Sequence, residues 1–503
     1  MNLPLLSPGM CVIIVICFCM LIAVAATLYL TRHKFKNPKS RKRRTIFALS
    51  IFGLVVAYIL FYTTSNFIGR TQVQAKLAEM RERKILFDEK DICPQMPGNN
   101  PHFYKPAYKY TVTPGVPETD NGAYFYKAAF ELTNGSSSYN TLFDMMTEQP
   151  TFDITQWSEQ ARDTAQQLLI KQDIEQILSL FRQGAEKPYA VYRRNYNGTN
   201  TLLPELNAQR ALFRLICIKS SCDGLHGNPD AGYRLLCDGF KTIVQLQTEK
   251  IVLSQLINIA CVAISLDVMN SLLLRHGIST PSAQQLLAEL EKIDFSQAII
   301  HGLDGEIVMC REDIFEKLNR IESNISRLDD SGKIGNITLY VSWIWPFLYQ
   351  DYAYYLTKME KIRVLYNKPY WAETAEIKEL EKEYWHPGYK VLTGLLTSSL
   401  VPQRTKVARI ESDIDAAKLT LALHIYKNQN GAFPDKLEQL APGIIKEIPV
   451  DPISGKPFEY QKADGKFTLS SVWLKEKAEQ DRKRQEQNRK EQERQHNRNK
   501  TGK

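Results

Sequence analysis

Two long apolar runs open the chain, and helical periodicity takes over after them. Met10–Leu30 (MCVIIVICFCMLIAVAATLYL) carries no charged side chain, and neither does Thr45–Phe67 (TIFALSIFGLVVAYILFYTTSNF). A helix that crosses the hydrocarbon layer of a bilayer needs about 20 apolar residues, so both runs can span. The pattern predicts a hairpin of two transmembrane helices, Met10–Leu30 and Ile46–Tyr62, with Tyr58 and Tyr62 placed for the lipid–water interface. A secretory signal peptide puts its basic residues ahead of a shorter apolar stretch. Here no Lys or Arg precedes Arg32, so the first run reads as a retained helix.

Gln72–Asp88 keeps helical spacing and is expected to prolong the second span. Pro94, Pro97, Pro101, Pro106, Pro114 and Pro117 then mark residues 68–120 as a juxtamembrane helix followed by a linker. From Asn121 to Val364 the pattern is mainly helical, with elements expected over Asn121–Leu132, Gln160–Gly184, Pro204–Ile218 and Pro229–Thr248. Ile251–Leu274 is apolar nearly all round. Its Ser254, Gln255, Asn258 and Asp267, and its amphipathic neighbours, make it a buried central helix rather than a third span. Thr280 is expected to cap the next helix, with Pro281 at its first position and Asp294 near its end. The fold class that follows is mainly α: a transmembrane hairpin over 1–67 and an antiparallel, solenoid-like helical array over 121–388. Val341–Tyr355 is the most aromatic stretch. It reads as an aromatic core where helices cross, with a ligand or membrane-surface platform as the alternative. Ala372–Trp385 reads as a charged surface helix.

Charge gives the hairpin a direction. The whole chain is +9, but the loop 31–45 carries Arg32, Lys34, Lys36, Lys39, Arg41, Lys42, Arg43 and Arg44 with no acid. Such a loop stays in the cytoplasm, which puts both termini and the main body on the far side. The tail 474–503 adds eleven basic residues against six acidic ones, so what remains between these segments is mildly acidic. That excludes a basic nucleic-acid-binding face. The tail itself is too polar for a core and is expected to be a charged helix or disordered.

Candidate chemistry is sparse. The sequence has no HExxH, paired CxxC, GxxxxGK[ST] or GxSxG, so the strongest signatures of metalloproteases, zinc ribbons, nucleotide hydrolases and serine hydrolases are missing. Cys217-x4-Cys222-x3-His226, with Cys237 further on, has an unusual spacing for zinc, and buried structural cysteines explain it better. In an oxidising compartment a disulfide is the sharper expectation. If the Gly224–Asp230 turn joins antiparallel helices, Cys217 and Cys237 lie level, with Cys222 as the other partner for Cys237. Glu306, Glu312 and Asp313 are the best candidates for acid–base work on one helix, although neighbouring acids usually form a solvated face. Sequons at Asn134, Asn197, Asn324 and Asn336 matter only in a glycosylating pathway. No cofactor is expected.

The most specific text is Ile410–Trp473. A helix over Glu411–Asn428 is followed by NGAFPDKLEQL, IPVDPISGKPFEY and GKFTLSSVW. Gly431 and Pro434 should end the helix, Asp451-Pro452 and Ser454-Gly455 should set turns, and Phe458–Tyr460 and Phe467–Leu469 alternate like paired strands. Tyr426, Asn430, Gly431, Phe433, Pro434, Leu437, Leu440, Pro449, Asp451, Pro452, Gly455, Pro457, Tyr460, Gly465, Phe467, Leu469 and Ser470 match the pattern of the periplasmic half of the major pseudopilin of type II secretion, which this region resembles. The polymerising features of that family are not matched: Gly388-Tyr389 is internal, Thr393 stands where its glutamate would be, and no acidic calcium loop follows. Over roughly Gly122–Trp473 the order of elements is similar to a group of uncharacterised bacterial envelope proteins with two N-terminal transmembrane helices. The resemblance implies a small α+β module over 389–473 and a place in the inner membrane, and it implies no activity.

The expected function is therefore a membrane-anchored extracytoplasmic scaffold or interaction protein of the bacterial envelope. Its partners would be the lipid bilayer and envelope proteins, and its narrower form is secretion-associated. The alternative is an enzyme acting on envelope polymers from a cleft in the helical array.

Overall fold

The computed structural model describes residues 38–83, 85, 120–149, 151–192, 203–311, 347–372, 375, 379–380, 390–463, 465–483 and 486. The expected first span Met10–Leu30, Arg32, Lys34, Lys36, the prolines of 94–117, Asn197, Glu312, Asp313, Asn324, Asn336, residues 341–346 and most of 372–385 lie outside them.

Helix α1, Pro38–Glu82, is one unbroken element of 45 residues, about 68 Å long at 1.5 Å per residue. Pro38 suits a first turn, where its missing N–H costs no hydrogen bond. Two boundaries move as a result. Lys39, Arg41, Lys42, Arg43 and Arg44, read as the end of a loop, lie in the first turns of α1, and the juxtamembrane helix continues the span without a break. Arg and Lys are good helix formers, and no Gly or Pro interrupts 39–52, so nothing stops the helix from starting early. Two described helices are long and apolar enough to cross a membrane: α1 from Thr45 onward, and Val252–His276 in the body. They differ in setting. Only 6% of the most apolar stretch of α1 is buried inside the protein, against 56% for the body helix.

The body begins with α2 (Gly122–Gly135), α3 (Ser137–Glu148), α4 (Glu159–Leu169) and α5 (Gln172–Ala185). Asn121, Ser136 and Ser158 cap the first three of these through side-chain oxygens. The single helix expected over Gln160–Gly184 is split at Ile170–Lys171. Next come α6 (Pro204–Leu225) and α7 (Pro229–Leu246), antiparallel across the 226–228 turn, with Gly232 of α7 against the Ser220 carbonyl of α6. The long apolar helix is α8 (Val252–His276), which packs on α6, on α7 and on two later helices, Phe295–Cys310 and Leu400–Asn430. Its buried Gln255 donates to the carbonyls of Leu246, Gln247 and Glu249, and Asn258 bonds Gln209 of α6. These polar residues tie a central helix to its neighbours instead of facing lipid.

Ser279, not Thr280, caps α9 (Thr280–Leu290), and Asp294 caps α10 (Phe295–Cys310) rather than ending α9. The next described helices are α11 (Leu348–Tyr366), α12 (Val391–Thr397) and α13 (Leu400–Asn430). Helix α13 starts well before the expected Glu411 and ends at Gly431, whose φ of 78° is the left-handed conformation a glycine adopts without strain. One hydrophobic core runs from Val73 of α1 through the helices to Phe458.

Past α13, β1 (Glu459–Ala463) pairs antiparallel with β2 (Lys466–Ser470), from Glu459 opposite Ser470 to Ala463 opposite Lys466. This is the two-stranded sheet the alternating residues predict. Asp451 Oδ1 accepts from Ser412 Oγ of α13 at 2.7 Å and Oδ2 from Ser454 Oγ at 2.7 Å, which seats the Asp-Pro turn on the helix. The tail is helical over 472–483, and Lys477 lies 3.1 Å from Asp413 and 3.3 Å from Asp267 of α8.

Candidate functional site

Two regions join sequence patterns to distinct chemistry: the seam between α1 and α11, and a polar cleft lined by α7, the α8–α9 link and α13.

Along the second half of α1, Tyr62, Ser65, Gly69, Val73 and Met80 are buried at helical spacing. They face α11. A Cβ on Gly69 would stand 2.5 Å from Tyr349 Cβ and 2.9 Å from the Gln350 backbone nitrogen, so only a glycine allows this approach. Gln350 Nε2 donates to the Ser65 carbonyl at 2.7 Å, Arg70 lies over the Tyr349 ring, and Phe61 meets Phe347 edge to face. Farther along, Glu360 of α11 takes both Lys76 and Arg83, the latter at 2.6 Å. The first half of α1 is different. Phe47 is 68% exposed, Leu54 71% and Leu60 62%. One helix thus carries an exposed apolar half and a half locked into the body. The aromatic stretch divides in the same way: Tyr352 and Tyr355 are core residues, while Tyr349 stacks against Arg70 at the seam.

The cleft has a volume of about 280 Å³. The first turn of α7 supplies Asp230 and Tyr233, the end of α8 and the link to α9 supply His276 and Ser279, and the last turns of α13 supply His424, Lys427 and Asn428. Pro229 starts α7 with Asn228 as cap, which places Asp230 where a carboxylate is favoured by the helix dipole. Asp230 Oδ1 accepts from Ser279 Oγ at 2.8 Å and Ser282 Oγ at 2.7 Å, and these bonds hold its carboxyl below the usual carboxylate range. The 277–279 link is strapped from both sides: Tyr233 donates its hydroxyl to the Gly277 carbonyl at 2.7 Å, and Asn428 Nδ2 donates to the Ile278 carbonyl at 2.9 Å. His424 sits edge-on to Phe433 and Phe467, and Lys427 Nζ lies 4.7 Å from the Phe433 ring centre. Burial, then the Lys427 charge, pushes the His424 imidazole below its ordinary value, so it is neutral at pH 7.

None of the residues singled out by sequence lines this cleft. Cys217, Cys222 and Cys237 are free, buried thiols. Cys217 and Cys237 fall near the same level of the α6–α7 pair but turn to different neighbours: Cys217 Sγ is 3.7 Å from Ser265 Oγ of α8, whereas the charges around Cys237 are Lys241, Asp238, Glu289 and Lys292. Cys222 Sγ meets His226 Nδ1 at 3.5 Å, and that nitrogen also lies 2.9 Å from the Cys222 carbonyl. Burial raises Cys217 to about 12 and Cys222 and Cys237 to about 11, which keeps them protonated. Among the described residues no three His, Cys, Asp or Glu side chains converge as a metal site.

Glu306 lies on α10 near the backbone N–H of Val252 at the start of α8, and burial pushes its carboxyl up to about 7. Asp304, two residues earlier, turns instead to Arg363 of α11, 2.8 Å away. The two acids therefore do not share a face.

Sequence reasoning missed Asp230, His276, His424, Lys427 and Asn428. The available signal was the i, i+3, i+4 spacing of His424, Lys427 and Asn428, which puts all three on one face of the helix. The chain matches no family model, no curated protein and no solved structure, so its chemistry rests on its own side chains.

Proposed function

We propose that this protein is a membrane-anchored extracytoplasmic scaffold of the bacterial cell envelope, which holds its helical body at a fixed height above the inner membrane. The observation that carries this is α1. Its exposed apolar half suits a bilayer, and its second half, clamped to α11 through Gly69 and Glu360, couples that anchor rigidly to the body. A flexible tether would serve a freely diffusing catalytic domain, whereas a rigid stalk suits a body that meets partners at a set distance. The eight basic residues of 31–45 supply the orientation, with body and both termini outside the cytoplasm. The secretion-associated form of this reading rests on the resemblance of the C-terminal region to a pseudopilin.

Topology and partnership are both testable. Alkaline phosphatase fused after Lys503 is expected to be active, and a green fluorescent protein at the same place dark, with the chain retained in membranes after a carbonate wash. A fluorescent C-terminal fusion would overturn the orientation, and release by carbonate would overturn the anchoring. In-cell photocrosslinking from exposed body positions should yield discrete adducts with envelope proteins. Recovery of none would sink the scaffold reading while leaving the topology intact.

A further inference from the structure

We propose that the cleft between α7, α8 and α13 binds a small oxyanion, a carboxylate or phosphate, that carries a hydroxyl or ammonium donor beside it. The inference is independent of the membrane reading, because it uses no residue of α1.

The cationic side of the cleft is Lys427. No acid pairs with it among the described residues, and its ammonium rests over the Phe433 ring, which orients the charge without neutralising it. His276 and His424 add imidazole groups beside it, each able to donate one hydrogen bond when neutral. The acceptor side is Asp230. Both serine hydroxyls go to Oδ1, so Oδ2 keeps its capacity to accept from a ligand. An oxyanion alone would use Lys427 and meet repulsion from Asp230; an oxyanion with an adjacent donor satisfies both walls. The walls are fixed before any ligand arrives, because Tyr233 and Asn428 hold the 277–279 link from opposite helices. Pre-organisation of this kind lowers the ordering cost of binding. A cleft of about 280 Å³ holds roughly nine waters' worth of volume, which fits a hydroxy acid, an amino acid or the end of a longer chain.

Isothermal titration of the full chain in detergent distinguishes the possibilities. The probes are L-lactate, L-alanine, inorganic phosphate and, as a carboxylate without a donor, acetate. Saturable binding of lactate, alanine or phosphate is expected, and which one binds best assigns the oxyanion. Acetate should bind about tenfold more weakly, the worth of one hydrogen bond to a charged group. Lys427→Gln should weaken the preferred probe about tenfold or more, and Lys446→Gln, an exposed lysine away from the cleft, should not. If Lys427→Gln fails to fold, the exposed His276→Gln serves as the second variant and should also weaken binding. Absence of saturable heat with every probe overturns the proposal. So does binding that neither variant alters, or acetate binding as tightly as the others.

Discussion

Glu306 and Asp304 sit two residues apart on α10, and both are pushed upward by burial, to about 7 and about 6. Their neighbours differ: Asp304 faces Arg363 and the Lys250 charge, while Glu306 faces a backbone N–H. A carboxyl whose folded pKa lies above its unfolded value binds more protons in the folded state across that window. Stability is then greatest below about 4.5 and falls as pH rises toward 7. Glu306→Gln keeps an acceptor for the Val252 N–H and removes the charge. The variant is expected to melt higher than wild type at pH 8 and to match it at pH 4.5, with part of the pH dependence surviving through Asp304. Equal melting temperatures at both pH values would show that Glu306 is solvated, which is how adjacent helical acids normally read from sequence. The distinction was not legible there, because it depends on the approach of the α8 N-terminus from a distant part of the chain.

At the scale of elements, α1 holds two glycines with opposite surroundings. A Cβ at Gly53 meets nothing within 4 Å, whereas one at Gly69 collides with Tyr349 and the Gln350 backbone. Gly69→Leu should therefore force α1 off α11 and destabilise the body by about 1–3 kcal/mol, seen as a lower melting temperature, while Gly53→Leu should leave it unchanged. Equal effects of the two would mean that the seam is loose. Periodicity in Gln72–Asp88 announced that the helix continues, and α1 does run on as far as Glu82, with Val73 and Met80 buried along it. The partner could not be read. Nothing in the spacing of α1 names α11, nearly three hundred residues away in sequence, because packing partners are chosen by shape and not by period. Cap positions slipped for a similar reason. Ser279 and Thr280 are both good caps, and the backbone at Ser279 is extended while Thr280 is already helical.

Across the whole molecule, α13 decides how many folding units exist. Sequence placed a module boundary before it, since its ending carries the distinctive turn and hairpin text. Yet its first half buries Leu400, Val401, Val407 and Ile410, and its second half Ile414, Leu419, Leu421, Leu423 and Ile425, within the same core as the array. It packs on α8 and α9 directly, and Glu411 reaches Ser296 of α10 at 2.8 Å. Burying one aliphatic side chain is worth about 1.5–3 kcal/mol, and a domain is stable by only about 5–15 kcal/mol. Loss of nine such side chains exceeds that margin even when partial relaxation is allowed. A chain ended after residue 399 is therefore expected to lose cooperative melting of α6–α10 altogether, with exposed apolar surface that binds a hydrophobic dye. The full chain should show a single body transition in which hairpin and array melt together. An independently melting C-terminal unit, or a truncated array with near-native helicity and a sharp transition, would establish two separate cores instead. The outcome bears directly on the cleft, whose walls come from both sides of that boundary: Lys427 and Asn428 stand on α13, Asp230 on α7 and His276 on α8. If array and hairpin share one transition, the cleft exists only in the assembled body, and probe binding should raise that single melting temperature as mass action requires.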